Sequence, residues 1–498
     1  MKSLKNITAL LLAMLLLASC GNGGTTAETT AEATETPAAE AETEVQEGRQ
    51  YVKDNLPETM DFEGAALRIS TRGGDEDTRM EFFAEEATGE VVNDAVFERN
   101  NMVQERLNVV MEVTYADRNR HSGDQNFIRQ TVMSGDDVFE IMADSMSPTM
   151  TLGSEGLFME LNGMPWLDFE MPWWNDGFMT TSRLHGKNYL AMGDLSMTMI
   201  SGTYAMFFNR TLFDEYFPEG PTLFEIVQEG TWTLDTLLDY CSGFYQDLNG
   251  DGNPNEGDLF GHYYRNQKML GSDAYVGGCN IQILTLDADG NVQYNGNGEQ
   301  VMSFLEKLTK LIFENNKSYR GEYNDDTIMV PLMERISLFV PWMLGATAYL
   351  RDMEDDFAII PMPKLNETQT EYSATIHNGA SAFAIPVTSQ NSEMAAAALE
   401  ALCAESYRNV TPAYFDTALK GKYSRDTETA EMLDLLMESI NPDMATIFGN
   451  KLGSALDMFR GFFGSTGENA KAVSKLAASE TSFVTKMEEI MDTYSKLQ

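Results

Sequence analysis

Residues 90–116, EVVNDAVFERNNMVQERLNVVMEVTYA, change their repeat in mid-run, and that change decides the fold class. From Glu90 to Arg106 the apolar Val92, Val96 and Val103, followed by Leu107, recur at helical spacing with charged residues between them. Val109, Met111, Val113 and Tyr115 then alternate, which is the period of a strand. Working outward, Leu67-Arg68-Ile69-Ser70 reads as a short buried strand, Gln125 to Met133 as a second helix and Val138 to Met142 as the next strand. The order is β-α-β-α-β, the opening of a parallel sheet with helices on its faces. The same grammar returns later, with strand at Ile336 to Val340, helix at Met343 to Arg351 and strand at Phe357 to Ile360. A turn-rich middle section separates the two, with a hairpin of Ile283 to Thr285 and Val292 to Tyr294 around Asp289-Gly290-Asn291. From Ser392 onward helical periodicity dominates, and no internal repeat is visible.

The 498 residues exceed what one compact domain usually holds, so two α/β lobes joined by crossing segments are expected. Hydrophobic residues at 43% and charged residues at 22% are ordinary for a globular chain with a sizeable core. The charge is not ordinary: 34 Lys+Arg face 77 Asp+Glu, a formal net charge of −43. A phosphate backbone is repelled by that field and no basic cluster interrupts it, which excludes nucleic acid as a partner. Neutral or cationic small molecules suit it better than anions. The four histidines (His121, His185, His262, His377) are scattered, which argues against a zinc site. Four cysteines are too few for a disulfide scaffold, and whether Cys241 and Cys279 pair cannot be read from spacing.

Lys2 and Lys5 precede an apolar run from Ile7 to Ala18 that is too short to span a bilayer and right for the apolar region of a signal peptide. It ends in Leu17-Ala18-Ser19-Cys20-Gly21, which resembles the lipobox of bacterial lipoproteins. That resemblance implies removal of residues 1–19 and lipidation of Cys20, with palmitate-type chains holding the protein to the membrane. Residues 20–54 then read as a linker, since residues 21–50 set seven Glu among Gly, Thr and Ala with no aromatic, a composition that stays extended. The folded part is expected over 55–498.

The sharpest motif is Asp247-Leu-Asn249-Gly-Asp251-Gly252-Asn253-Pro-Asn255-Glu-Gly-Asp258. Side-chain oxygens stand at positions 1, 3, 5, 9 and 12 of a twelve-residue loop, Gly252 allows the sharp turn at position 6, and Asn253 offers its carbonyl at position 7. Calcium needs six to eight such oxygens, so a structural Ca2+ is expected on Asp247, Asn249, Asp251, Asn253, Asn255 and Asp258. Asp258 stands where an EF-hand has Glu, which brings the loop closer to a dockerin loop.

Signatures of catalysis are missing: no Gly-x-Ser-x-Gly elbow, no His-Glu-x-x-His, no phosphate-cradling or nucleotide-binding Gly motif. Five tryptophans remain, Trp166, Trp173, Trp174, Trp232 and Trp342. Aromatic faces suit the CH faces of sugar rings. Burial is the commoner fate of a single Trp. Trp173-Trp174 stands out, since adjacent rings after Pro172 seldom both bury, whereas Trp166 in its apolar run reads as core.

Taken in order, Gly89-Glu-Val-Val-Asn93-Asp94, Phe139-Glu-Ile-Met-Ala-Asp144-Ser145, Pro172-Trp173-Trp174-Asn175, Phe207-Phe208-Asn209-Arg210, Gly230-Thr-Trp232-Thr-Leu, Pro341-Trp342 and Ile360-Pro361-Met-Pro363 resemble the extracellular solute-binding proteins of carbohydrate-type ABC transporters, the group that includes maltose-binding protein. The resemblance runs from about residue 65 to 410. It implies a two-lobed, periplasmic-binding-protein-like α/β fold, its lobes joined by a hinge, with a helical C-terminal part. Lobe 1 would cover about 55–200 and 380–410, lobe 2 about 205–375, and the helices of 411–498 would be shared. The calcium loop would follow the first helix of lobe 2 as a brace. The cleft would be lined by loops after the strands: Arg72, Asp144, Ser145, Tyr204 and Trp342, with Trp173, Trp174 and Trp232 as looser assignments. The function so implied is that of a monomeric, non-catalytic lipoprotein on the outer face of the cell membrane, which captures a sugar or oligosaccharide and delivers it to permease subunits. A surface glycoside hydrolase, or a binder of peptides or organic cations, is the alternative.

Overall fold

In this computed structural model, residues 48–73, 80–116, 125–265, 271–419, 427–453, 455–464 and 469–497 are described. The signal sequence, Cys20, the linker up to residue 47 and His121 lie outside them.

The run that changes period folds as its two repeats require. Helix Val91–Leu107 starts on Glu90, whose carboxylate accepts the Asn93 N–H, and buries Val92, Val96, Val103 and Leu107. It stops at Asn108, held left-handed at φ 47°, and the chain turns straight into β2, Val109–Ala116. β2 lies parallel to β1, Ala65–Arg72, in the register Leu67 to Met111 and Ile69 to Val113. β1 is also parallel to β3, Ile141–Ser145, so β1 lies inside the sheet between β2 and β3. The expected strand at Val138 to Met142 begins three residues late. Just before it, Glu140 already joins β1: its main-chain N–H donates to Arg68 O, while its buried carboxylate accepts the main-chain N–H and the guanidinium of Arg68.

The second sheet has β4 (Tyr204–Asn209), β5 (Phe260–Arg265), β8 (Ser318–Gly321), β9 (Ser337–Met343) and β10 (Phe357–Ile360) in the order β10-β4-β9-β5-β8. Every residue of β4 is buried, as a run apolar on both faces requires. The hairpin forms from β6 (Leu284–Leu286) and β7 (Val292–Tyr294). The helix expected over Met343 to Arg351 is a 3-10 helix, Leu344–Leu350, because Met343 is still paired with Tyr204 in the sheet. β11, Ser381–Ala384, returns to the first sheet antiparallel to β3.

Two segments carry the chain between the sheets and pair with each other. Helix Met197–Ser201 leads through Gly202 and Thr203 into β4, while residues 374–380 lead back to β11. Tyr204 N–H donates to Thr375 O and His377 N–H to Gly202 O. A side chain at Gly202 would meet Thr198 O at 2.5 Å, so the close approach needs glycine. A third passage lies beside them, where Ala374 pairs with Ile440.

The C-terminal helices touch both sheets' layers. Asn450 N–H donates to Ser147 Oγ beyond β3, whereas Arg460 holds Asp273, in a helix beside β4, through a bidentate ion pair. The final helix, Ala472–Lys496, stacks Phe483 near Tyr294 of the hairpin and sets Tyr494 edge-on to Tyr189. Residues from Gly48 onward therefore form one packed unit.

Folding also starts before residue 55. Asp54 is clamped by Arg106 and Arg408, at 2.6 and 2.9 Å, and Leu56 is buried. Burial pushes the Asp54 carboxyl up, but the two guanidiniums more than offset this and hold it at about 2. The expected end of the linker at residue 54 is thus corrected: two cations on one carboxylate fix that end to the fold.

Candidate functional site

The strand ends that face the crossings carry the polar groups. On the first sheet β1 ends at Arg72, β3 at Ser145, and β11 begins at Ser381 directly opposite Ser145. The Arg72 guanidinium donates to Ser145 Oγ, to the Gly379 carbonyl and to Ser381 Oγ at 3.3 Å. The structure thus brings Arg72 and Ser145 together as expected residues of one edge. Asp144, also buried, accepts the N–H of Ser145 at 2.7 Å.

Three further residues, which the sequence reading missed, complete this edge: Glu81, Thr198 and Ser381. Glu81 Oε1 accepts both the N–H and the hydroxyl of Thr198, at 3.2 and 2.6 Å, and Thr198 Oγ1 accepts the N–H of Ser381 at 2.8 Å. The chain of bonds ties one crossing segment to the other. Burial pushes the Glu81 carboxyl up to about 7, against the pull of Arg72 and the hydroxyls. The signal available in sequence was an acid inside Met80-Glu81-Phe82-Phe83, where a charge is costly unless it has partners.

On the second sheet β4 begins at Tyr204, β9 ends with Trp342 and Met343, and β5 ends at Arg265. Tyr204 meets Trp342 edge-to-face with centroids 6.3 Å apart. Arg265 lies over the Trp342 ring, 4.9 Å from its centroid, and donates to Asp325 at 2.6 Å. The Tyr204 hydroxyl is buried with no partner among the described residues, and burial raises its pKa well above the ordinary value. Trp342 itself is only 3% exposed, so its ring face is covered by Arg265.

The remaining tryptophans belong elsewhere. Trp173 and Trp174 are both buried, against the expectation for neighbouring rings, and donate their indole N–H groups to the two oxygens of Glu400. One buried carboxylate satisfies both, which is why both can bury. Trp232 is buried as well, donating to Pro361 O at 2.9 Å and packing on Phe339. All three are corrected from groove to core. Trp166, expected in the core, is half-buried, and its N–H reaches Glu393.

The loop 247–258 lies between helix Leu234–Cys241 and β5, closed by the pairing of Gln246 with Leu259. It follows the third helix of this half rather than the first, because Arg210–Tyr216 and Leu223–Gln228 precede it. Asp258 is buried and accepts from Tyr245 OH and Leu248 N–H, and Asp247 accepts from Gly250 and Gly252. The amide of Asn255 donates to Asp251 Oδ2 and Asn253 O at 2.9 and 2.7 Å, so the oxygens of positions 5 and 7 converge on one donor. With three carboxylates and the side-chain amides of Asn249 and Asn255 on one loop, the donor set is of the oxygen type that calcium takes. Among the described residues no three His, Cys, Asp or Glu side chains gather into a metal site by themselves, so amide and carbonyl oxygens would have to share the ion. Cys241, Cys279 and Cys403 are buried free thiols, so Cys241 and Cys279 are not paired.

Two α/β sheets with their strand ends turned to paired crossing segments, stitched by C-terminal helices, make one architecture. This is the two-lobed periplasmic-binding-protein fold. No protein-family model and no curated relative matches the chain. Among solved structures it is similar to the galacto-N-biose-/lacto-N-biose I-binding protein of an ABC transporter from Bifidobacterium longum, in complex with lacto-N-biose, with a TM-score of 0.56 at 12% identity over 86% of this chain and 98% of that one. UspC of M. tuberculosis gives a TM-score of 0.54 at 13% identity, over 84% of this chain and all of that one. A cyclo/maltodextrin-binding protein with bound maltotetraose gives 0.53 at 11% identity, covering 88% and 100%. In the binding-protein fold the groove lies between the two strand-end edges, where open α/β sheets take their ligands.

Proposed function

We propose that the chain is the solute-binding component of an ABC importer, which captures a sugar or oligosaccharide by hinge closure and hands it to membrane permease subunits. The observation that carries this is the pair of polar strand-end edges, Arg72–Ser145 on one lobe and Arg265, carried on the packed Trp342 ring, on the other, set on either side of paired crossings. Contacts to both edges favour the closed state, so occupancy and closure are linked. The sugar class is supported by the aromatic and hydroxyl-rich character of the edges and by similarity to proteins solved with lacto-N-biose and maltotetraose. The chain acts as a monomer without catalysis.

A glycan array of gluco-, galacto- and N-acetylglucosamine-configured di- to tetrasaccharides tests the reading, followed by calorimetry and by mass spectrometry of the sugar after long incubation. Saturable binding with the sugar recovered intact supports it. Cleaved product supports a hydrolase instead.

Two further parts belong to the proposal. Cys20 carries the lipid that holds the protein on the extracytoplasmic face of the membrane, and no helix of the described residues is long and apolar enough to cross one. Cys20→Ala should therefore move the protein from the membrane to the soluble fraction, and retention there would refute the anchor. The loop 247–258 holds a structural calcium through Asp247, Asn249, Asp251, Asn253, Asn255 and Asp258. Calcium should raise the melting temperature and chelation lower it, because an ion bound only by the native state stabilises that state. Asp251→Ala should make the protein indifferent to both, and absence of a calorimetric signal at millimolar calcium would sink the idea.

A further inference from the structure

The edge of the second sheet carries two exposed side chains among buried ones. β5, β8 and β9 run parallel, so their C-terminal ends lie together, and β4 enters beside them at Tyr204, opposite Met343. Thr203 O, in the first crossing, accepts the N–H of Leu344, which fixes this edge against the crossings. Just past β8 the chain makes a 3-10 turn, Asp325–Thr327, capped by Asn324, whose side chain accepts the Thr327 N–H at 3.1 Å. Just past β9 the 3-10 helix Leu344–Leu350 packs against the crossing helix Met197–Ser201 and against helix Thr411–Leu419, itself packed on Val91–Leu107 of the first lobe. It stands where the lobes meet. The Tyr349 hydroxyl joins the two turns by donating to Asp326 at 3.4 Å. Trp342 is covered, yet Tyr349 is 42% exposed and the Asp325 side chain 54%. Asp325 is aimed from beneath. Arg265 donates to it at 2.6 Å, and that guanidinium lies over the Trp342 ring, 4.9 Å from its centroid. A carboxylate accepts up to about four hydrogen bonds, so Asp325 can hold Arg265 and take a hydroxyl as well. An exposed tyrosine alone is ordinary, but here it flanks an oriented carboxylate at a strand-end edge, where open α/β sheets take ligands.

We propose that Tyr349 and Asp325 form the sugar-contacting lip of the second lobe: the Tyr349 ring receives the CH face of a sugar ring, and Asp325 accepts a hydroxyl hydrogen from the same ring or the next. This rests on the groove being a sugar site. Arg265 and Trp342 are positioning residues, which hold Asp325 in place without touching the solute. The lip adds a specificity rule: the solute must offer both an apolar ring face and a hydroxyl donor beside it. An open-chain polyol has the donor without the face, and an apolar ring has the face without the donor.

The test is calorimetry with the array sugar that binds the wild type most tightly and with its monodeoxy forms. Tyr349→Leu keeps apolar bulk but has no flat face, so affinity should fall about 10- to 100-fold, the range of stacking on an aromatic side chain. Tyr349→Phe keeps the face and should stay within about threefold of the wild type. In the wild type, one monodeoxy sugar should lose about 10-fold or more, the worth of a hydrogen bond to a charged group. In Asp325→Ala that same sugar should bind as well as its parent, a coupling that a purely structural role would not produce. Because both side chains are exposed, the urea midpoints of the variants should match the wild type, which separates lost contact from lost fold. If Tyr349→Leu binds with wild-type affinity, or Asp325→Ala keeps the wild-type deoxy profile, the assignment is overturned while the sugar site stands. If the wild type binds none of the array sugars, the sugar site itself is overturned and this assignment with it.

Discussion

Trp342→Ala separates a wall of the fold from a surface of the groove. In a groove open to solvent, a stacking ring contributes little to stability. In the structure the ring is 3% exposed, meets the edge of Tyr204 and lies under Arg265. Truncating a buried Trp to Ala costs about 3–5 kcal/mol through lost transfer energy and the cavity left behind. The edge contact and the guanidinium stack add about 1–2 kcal/mol. The tally does not depend on sugar being present. Urea unfolding followed by circular dichroism at neutral pH is the assay, and with m near 3 kcal/mol/M the midpoint should fall by about 1.3–2.3 M. Trp342→Phe, which keeps an aromatic edge contact, should lose less than half as much. A Trp342→Ala protein that unfolds at the wild-type midpoint but no longer binds sugar would refute the packing argument and put the ring in the groove.

The remaining predictions concern charge buried in the fold. Burial raises the carboxyls of Glu81 and Glu400 to about 7 and of Asp443 to about 6. The native state therefore holds protons that the unfolded chain releases near pH 4, so unfolding midpoints should fall as pH rises from about 5 to 8; a flat or rising profile would contradict this. Asp54 runs the other way: its carboxyl is held at about 2, so the stability it supplies is complete above about pH 4 and is lost as pH falls through 2. Asp54→Asn should cost about 1–2 kcal/mol at pH 7, after discounting for solvent around the guanidiniums, and next to nothing at pH 2. Equal costs at the two pH values would show that the hydrogen bonds, and not the charge, hold the strap.

What could be read from the sequence was what short-range periodicity encodes. Helix Gln125–Met133 and strand β10 have the ends the pattern gives, and β2 differs from it by a single residue. These segments are read correctly because their apolar faces repeat within a few residues. The tryptophan pair was misread for the opposite reason. Its fate is decided by Glu400, 226 residues downstream of Trp174, in a helix whose residues from Met394 to Glu405 are all buried. Nothing near Trp173 announces that partner. The clue lies at the other end, where a single acid interrupts the alanines of Met394-Ala-Ala-Ala-Ala-Leu-Glu400 and so has to find donors within the core. Glu81 carries the same mark, an acid set among Met80, Phe82 and Phe83. The two part company in their satisfaction. Both oxygens of Glu400 are filled by indole and main-chain N–H groups, which makes it a core residue. Glu81 fills one oxygen from Thr198 and leaves the other buried without a donor among the described residues. An acid embedded in apolar sequence thus points to buried donors, and where the fold supplies too few of them the carboxyl is pushed up and keeps a proton, as at Glu81.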